Sequence, residues 1–252
     1  MTDWVNIEKG DLGIARLTLN RGPVNALNTP FLEELNTCFK LLSKDEEVRA
    51  VILESPFKVF SAGLDLKETA GFSKQDETDI VDALNAAFLE MFRFPKPVIA
   101  SVDGAAIAGG LFFPLIADYV IATETAKFGL SEVRVGACFP EGPMEIARAK
   151  LTPAGLNLLM LTGHPVGSQR AYEIGAVNEI VAREGLGKVT LSVAEDFARK
   201  PPQAFAAIKA QIRKTTTRYL EEVVKNWTDP TRSGWFTEET KAAMKAVLNG
   251  QA

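Results

Sequence analysis

The chain has 252 residues, 46% hydrophobic and 24% charged, with no shift in composition that would divide it, so one main core with a C-terminal appendage is expected. No apolar run approaches the roughly 18 residues of a membrane span, and a net charge of −4 argues against a nucleic-acid surface as the main function, since phosphate binding needs a concentrated basic face. The first residues carry neither the basic and apolar regions of a signal peptide nor an Arg-rich transit sequence, so a cytoplasmic location is the expectation.

Residues 14–20 alternate apolar and polar like a half-buried strand, closed by Arg21-Gly22-Pro23. Thr29 is expected as the N-cap of a helix with Pro30 at its first position, and Phe31, Leu35, Cys38, Phe39 and Leu42 recur at three-and-four spacing as its buried face. Residues 48–54 and 97–102 read as strands, with a helix from about 77 to 93 between them. Residues 111–117, almost wholly apolar after Gly109-Gly110, read as a buried helix, and 119–122 and 127–130 as short strands bridged by a polar turn. Strands repeatedly followed by helices predict an α/β core with crossover connections. Beyond residue 150 the texture turns helical, at 151–161, 168–174, 186–200 and 202–225, with 175–181 the single strand-like piece. The expected division is a core over 1–195 and a C-terminal helical region over 196–252.

Two cysteines and one histidine leave no material for a Cys/His zinc cluster or a disulfide framework, and no metal site is expected. Cys38 and Cys138 are expected as reduced core residues. His164 lies in the turn Thr162-Gly163-His164-Pro165 with no evident nucleophile partner, so Ser-His-Asp hydrolysis is a weak reading.

The chemistry points elsewhere. Phe60-Ser61-Ala62-Gly63-Leu64-Asp65-Leu66 and Ala106-Ile107-Ala108-Gly109-Gly110 are glycine turns, each after a strand-like run and before a helix-like one. Such turns could aim backbone N–H groups at one developing oxyanion, where free donors and the helix dipole both favour negative charge. Glu132, in Phe128-Gly129-Leu130-Ser131-Glu132, could supply the base. Together they suggest enolate chemistry on a thioester.

At these residues the chain resembles the crotonase superfamily, also called the enoyl-CoA hydratase/isomerase family. The likeness runs from about Ile14 to Lys214. In order it takes in Pro23-Val24-Asn25-Ala26-Leu27, the two glycine turns, Val102-Asp103-Gly104, Ala117-Asp118-Tyr119, Phe128-Gly129, Glu132 and Gly175-Ala176-Val177-Asn178. The resemblance implies a spiral of ββα turns capped by C-terminal helices that trimerise, often as a dimer of trimers. It implies an acyl-CoA substrate whose CoA is part of the substrate, so no separate cofactor. It places the oxyanion hole at the N–H groups of Leu64 and Gly109, with Ala62, Gly63, Asp65, Leu66, Gly110 and Ser131 around the thioester and CoA, and Val24, Ala26 and Leu27 along the CoA channel. Asp65 reads more simply as a helix cap.

Hydratases of the family use two glutamates, and at the first of those positions this chain has Phe112. Adding water needs one group to activate it and usually a second to deliver a proton, whereas a double-bond shift needs one base that removes a proton from C2 and returns it at C4. Glu132 beside apolar Phe112 therefore suits an isomerase moving a 3-enoyl double bond to the 2-position, and burial should raise its pKa. The pattern is most similar to the mitochondrial-type 3-enoyl-CoA isomerase, including Pro140 eight residues after Glu132. Glu141 departs from it. As a second acid/base it would point to a hydratase or dienoyl-CoA isomerase; as a solvated residue it leaves the isomerase reading intact. A noncatalytic acyl-CoA binder is the third alternative. Lys209, Arg213 and Lys214 read as a solvated helix face or as partners of the CoA phosphates, and Trp227, Trp235 and Phe236 as packing or as a wall of the acyl pocket.

Overall fold

The computed structural model describes residues 3–249. Strands β1 (Val5–Lys9) and β2 (Ile14–Leu19) pair antiparallel, with Ile7 opposite Leu17, and helix α1 (Thr29–Lys44) follows. The chain then winds through strand–strand–helix turns. The first holds β3 (Ala50–Glu54), β4 (Val59–Ser61), α2 (Leu66–Thr69) and α3 (Lys74–Phe92); the second holds β5 (Val98–Val102), β6 (Ala105–Ile107) and α4 (Phe112–Ile116). The third holds β7 (Tyr119–Thr123), β8 (Lys127–Gly129), α5 (Glu141–Lys150) and α6 (Pro153–Thr162). After β9 (Val166–Gly167), α7 (Ser168–Glu173) and β10 (Glu179–Val181) come α8 (Leu186–Arg199), α9 (Pro202–Asn226) and α10 (Glu238–Leu248).

The first strand of each turn joins a six-stranded sheet, in the order β1-β2-β3-β5-β7-β10, and the second a four-stranded sheet, β4-β6-β8-β9. Among the described residues, only β1 with β2 and β8 with β9 run antiparallel. This is the expected ββα spiral. Two-residue periodicity sorts the side chains of the larger sheet: Val51 and Leu53 enter the main core with Phe39 and Phe88, while Ile14, Ala50, Ile52, Ile99 and Ile121 face Ala194 and Ala198 of α8. The 195/196 boundary expected from sequence therefore falls inside a helix that covers the sheet.

Local signals were displaced by tertiary partners at several points. The α1 cap is Asn28, not Thr29: its Oδ1 accepts from Phe31 N at 3.1 Å while its Nδ2 donates to Glu68 at 3.1 Å. Helix α3 starts at Lys74, earlier than expected, because Ser73 and Asp76 form a reciprocal capping box. Cys138 is exposed rather than buried, and Cys38 is half-buried; both are free thiols. The largest correction concerns α9. Lys209 and Arg213 are buried, neither solvated nor open to a phosphate: Asp118 accepts from Lys209 Nζ at 2.5 Å and from Arg213 Nη2 at 2.7 Å. Arg213 also donates to the carbonyls of Phe92 and Ile116, at the C-terminal ends of α3 and α4, where cations complement the helix dipole.

Candidate active site

Three adjacent parallel strands of the smaller sheet carry the site. Strand β4 runs into the first glycine turn, where Ala62 N donates to Val24 O at 2.9 Å, Leu27 N to Gly63 O at 2.7 Å and Asp65 N to Leu27 O at 2.9 Å. This ladder bridges Leu27 to Leu64 and uses the Gly63 carbonyl and the Asp65 N–H, on either side of Leu64. Asp65 then caps α2, accepting from Lys67 N and Glu68 N, and its other oxygen takes a hydrogen bond from Arg21 at 3.0 Å. Its role in the fold is therefore that of a cap and ion-pair partner.

Strand β6 ends in the second turn, with Ala108 at φ +50° leading into the short 3₁₀ turn Ala108–Leu111 and then α4. The two turns nest. Gly63 has φ +78°, and a Cβ there would lie 2.9 Å from Gly109 N and 2.8 Å from Ala108 Cβ. A Cβ on Gly110 would lie 2.5 Å from Ser61 O and Oγ. Neither the Leu64 nor the Gly109 N–H donates to a protein acceptor among the described residues. Two amides are thus left free on touching turns.

Strand β8, paired to β6 with Gly129 opposite Ile107, leads to the 3₁₀ turn Glu132–Val135. Gly136 closes that turn at φ +62°, and its carbonyl accepts from Thr240 Oγ1 of α10 at 2.7 Å. Glu132 is half-buried as a residue, but its Oε2 is fully enclosed and has no hydrogen-bond partner. Burial pushes its pKa up from 4.5 to about 8, opposed in part by a hydrogen bond from its own backbone. A carboxyl so placed gives up little on holding a proton, and its free oxygen can exchange one with a substrate carbon.

Leu64, Gly109 and Glu132 line one cavity of about 350 Å³. Leu27, Ala62, Leu66, Phe112 and Ser131 line it with them. Val24, Ala26, Gly63, Asp65 and Gly110 do not: Val24, Gly63 and Asp65 belong to the supporting ladder, Gly63 and Gly110 pack closely on the neighbouring turn or strand, and the Ala26 carbonyl accepts from Arg21 Nη1 at 2.7 Å. Phe112 is fully buried, its ring 5.5 Å from Phe88 and 6.4 Å from Phe139, so the wall at that point is aromatic. Glu141 is also absent from the cavity wall. It is the first residue of α5, where its N–H donates to Asp229 Oδ2 at 2.7 Å, and its carboxylate engages the Tyr219 hydroxyl, helping burial to raise that phenol's pKa. Of the two readings of Glu141, these contacts correspond to the one that holds it outside the pocket.

Sequence reading passed over part of the wall: Leu84 and Phe88 from α3, Arg134, Phe139, and Met244 and Val247 from α10. Trp235 is on the wall too, the second of the two roles read for it from sequence. Leu84 and Phe88 lie on the buried face of α3, and no local signal says that a buried face borders a cavity.

The family model for enoyl-CoA hydratase/isomerase matches residues 9–247. The chain belongs to the enoyl-CoA hydratase/isomerase family. A probable enoyl-CoA hydratase of Bacillus subtilis (strain 168) is 30% identical over 243 residues, covering 94% of this chain and 93% of the relative. The carnitinyl-CoA dehydratase of Escherichia coli (strain K12) is 32% identical over 210 residues, covering 83% and 80%. Among solved structures, human mitochondrial delta3-delta2-enoyl-CoA isomerase superposes with a TM-score of 0.90 at 26% identity over 98% of this chain and 97% of that one. A methylmalonyl-CoA decarboxylase in complex with 2-nitronate-propionyl-CoA gives 0.83 at 27% identity over 100% and 97%. The ββα spiral and the family's acyl-CoA thioester chemistry are therefore common ground for this enoyl-CoA hydratase/isomerase fold.

Proposed function

We propose that this family member is an enoyl-CoA isomerase that moves a 3-enoyl double bond to the 2-position with Glu132 as its single acid/base. The observation that carries this reading is that Glu132 is the one carboxylate on the cavity wall among the described residues, with Phe112 facing the same space. The Glu132 carboxylate takes a proton from C2. The electron pair moves toward the thioester carbonyl, whose oxygen becomes an enolate held by the Leu64 and Gly109 N–H groups, and the same carboxyl returns the proton at C4. No proton is gained or lost overall, so no second acid is required. Low polarity around Phe112 keeps water from the dienolate.

The named activities of the curated relatives favour hydration as the second reading, which would draw a second acid/base from outside the cavity wall. The purified protein, mixed separately with 3-hexenoyl-CoA and 2-hexenoyl-CoA, distinguishes them. Conjugation of the first, no added water on the second, and loss of turnover in Glu132→Gln are expected. Hydration of 2-hexenoyl-CoA at a comparable rate would overturn the isomerase assignment.

A further inference from the structure

Trp235 lies in the segment between α9 and α10 and reaches the cavity wall from there. Its position is fixed from several directions. The indole N–H donates to Cys138 O at 2.8 Å, on the strand of chain that follows the Glu132 turn. Its ring stacks on Phe236 with centroids 4.9 Å apart and planes 18° from parallel, and Phe236 in turn meets Phe72 at 6.2 Å. Upstream in the same segment, Asp229 is buried and accepts from Asn85 Nδ2, Glu141 N and Thr231 N at 2.7–2.8 Å, clasping the segment to α3 and to the start of α5. Arg232 pairs with Asp82 at 2.6 Å.

The other aromatic walls differ in what stands behind them. Phe88 and Phe112 are fully buried, and Phe88 meets Phe113 edge-on at 6.0 Å, so a chain pressing on them meets packed core. Trp235 is 6% exposed and closes the cavity on the side of the C-terminal segment. Because the indole lines the cavity, shortening it enlarges the cavity on that side.

We infer that Trp235 is the end wall of the acyl pocket and sets the longest chain the site accepts. The inference rests on the acyl-CoA reading of the site and deepens it to the residue that limits acyl length.

The test uses the full-length protein and two readouts. One is kcat/KM on 3-enoyl-CoA substrates from hexenoyl to tetradecenoyl; the other is Kd for the saturated acyl-CoA series of the same lengths, which needs no turnover. Wild type should drop by at least about tenfold at one step of the series in both, the scale on which a filled apolar pocket rejects extra methylenes. In Trp235→Leu the drop should vanish or move to longer chains. Trp235→Phe, which keeps the stack on Phe236 and loses the indole tip, should move it by less and guards against misfolding of the first variant. A step that stays put in both variants, or no step in wild type through fourteen carbons, overturns the inference. A step in Kd that moves as expected in a protein that isomerises nothing would sink the isomerase reading and leave the wall standing.

Discussion

Glu132→Gln isolates the cost of ionising an enclosed carboxyl. The side chain keeps its shape and loses its titration. In the folded protein Glu132 holds its proton up to about pH 8, whereas an open glutamate releases it near 4.5. Between those values the folded state binds a proton that the unfolded state has lost, so wild-type stability falls as pH rises from about 4.5 and levels off above about 8. At 1.36 kcal/mol per pH unit the loss is about 3 kcal/mol at pH 7 and about 5 kcal/mol above pH 8. The variant escapes this loss. Urea unfolding followed by tryptophan fluorescence, at one protein concentration across pH 4.5 to 9, should show the two proteins converging at the acid end and Glu132→Gln gaining over wild type toward the alkaline end. Every other titrating group cancels in the difference. Parallel stability curves across that range would mean that Glu132 ionises like a solvent-exposed carboxyl, and the argument for a buried, poised base would fail.

Three further outcomes are expected. Gly63→Ala places a Cβ within 3 Å of Gly109 N, Ala108 Cβ and Ile107 O at a backbone φ of +78°, so it should wedge the two turns apart and lower kcat by about 10²–10³, the usual cost of an oxyanion donor; an unchanged kcat would dissociate the turns from catalysis. Asp118→Asn leaves Lys209 and Arg213 buried without their counter-charge, and chemical denaturation should record a loss of about 3–5 kcal/mol; a loss under about 1 kcal/mol would mean the cluster is solvated. Glu141→Gln should leave 3-hexenoyl-CoA turnover nearly intact because that carboxylate faces Tyr219, whereas a loss of about 10²-fold or more, the scale of a general acid or base, would bring Glu141 into the chemistry.

Residues that act through their own stretch of backbone were legible from the chain. The strand–helix order from residue 48 onward follows from apolar periodicity, and the cap formed by Asp65 from a short acceptor at a helix start. The positive φ of Gly63 follows from its place in a tight turn, and the absence of a second glutamate is visible as Phe112. Short strands such as β6 and β9, at three and two residues, carry too few side chains for a period to register.

What folding alone decided depends on partners distant in sequence. Lys209 and Arg213 look like ordinary helix cations until Asp118 and the ends of α3 and α4 are brought beside them from some 90 to 120 residues away. Glu141 looked like a rival to Glu132 until Asp229 and Tyr219 tied it elsewhere. Trp235 became a wall because Cys138, 97 residues earlier, holds its indole. The chain by itself thus determined which groups could do chemistry, since residue type and local backbone set what an atom can donate or accept. Which of those groups face a common, dry space was left to the tertiary structure, because burial and desolvation belong to surfaces that do not exist until distant segments meet.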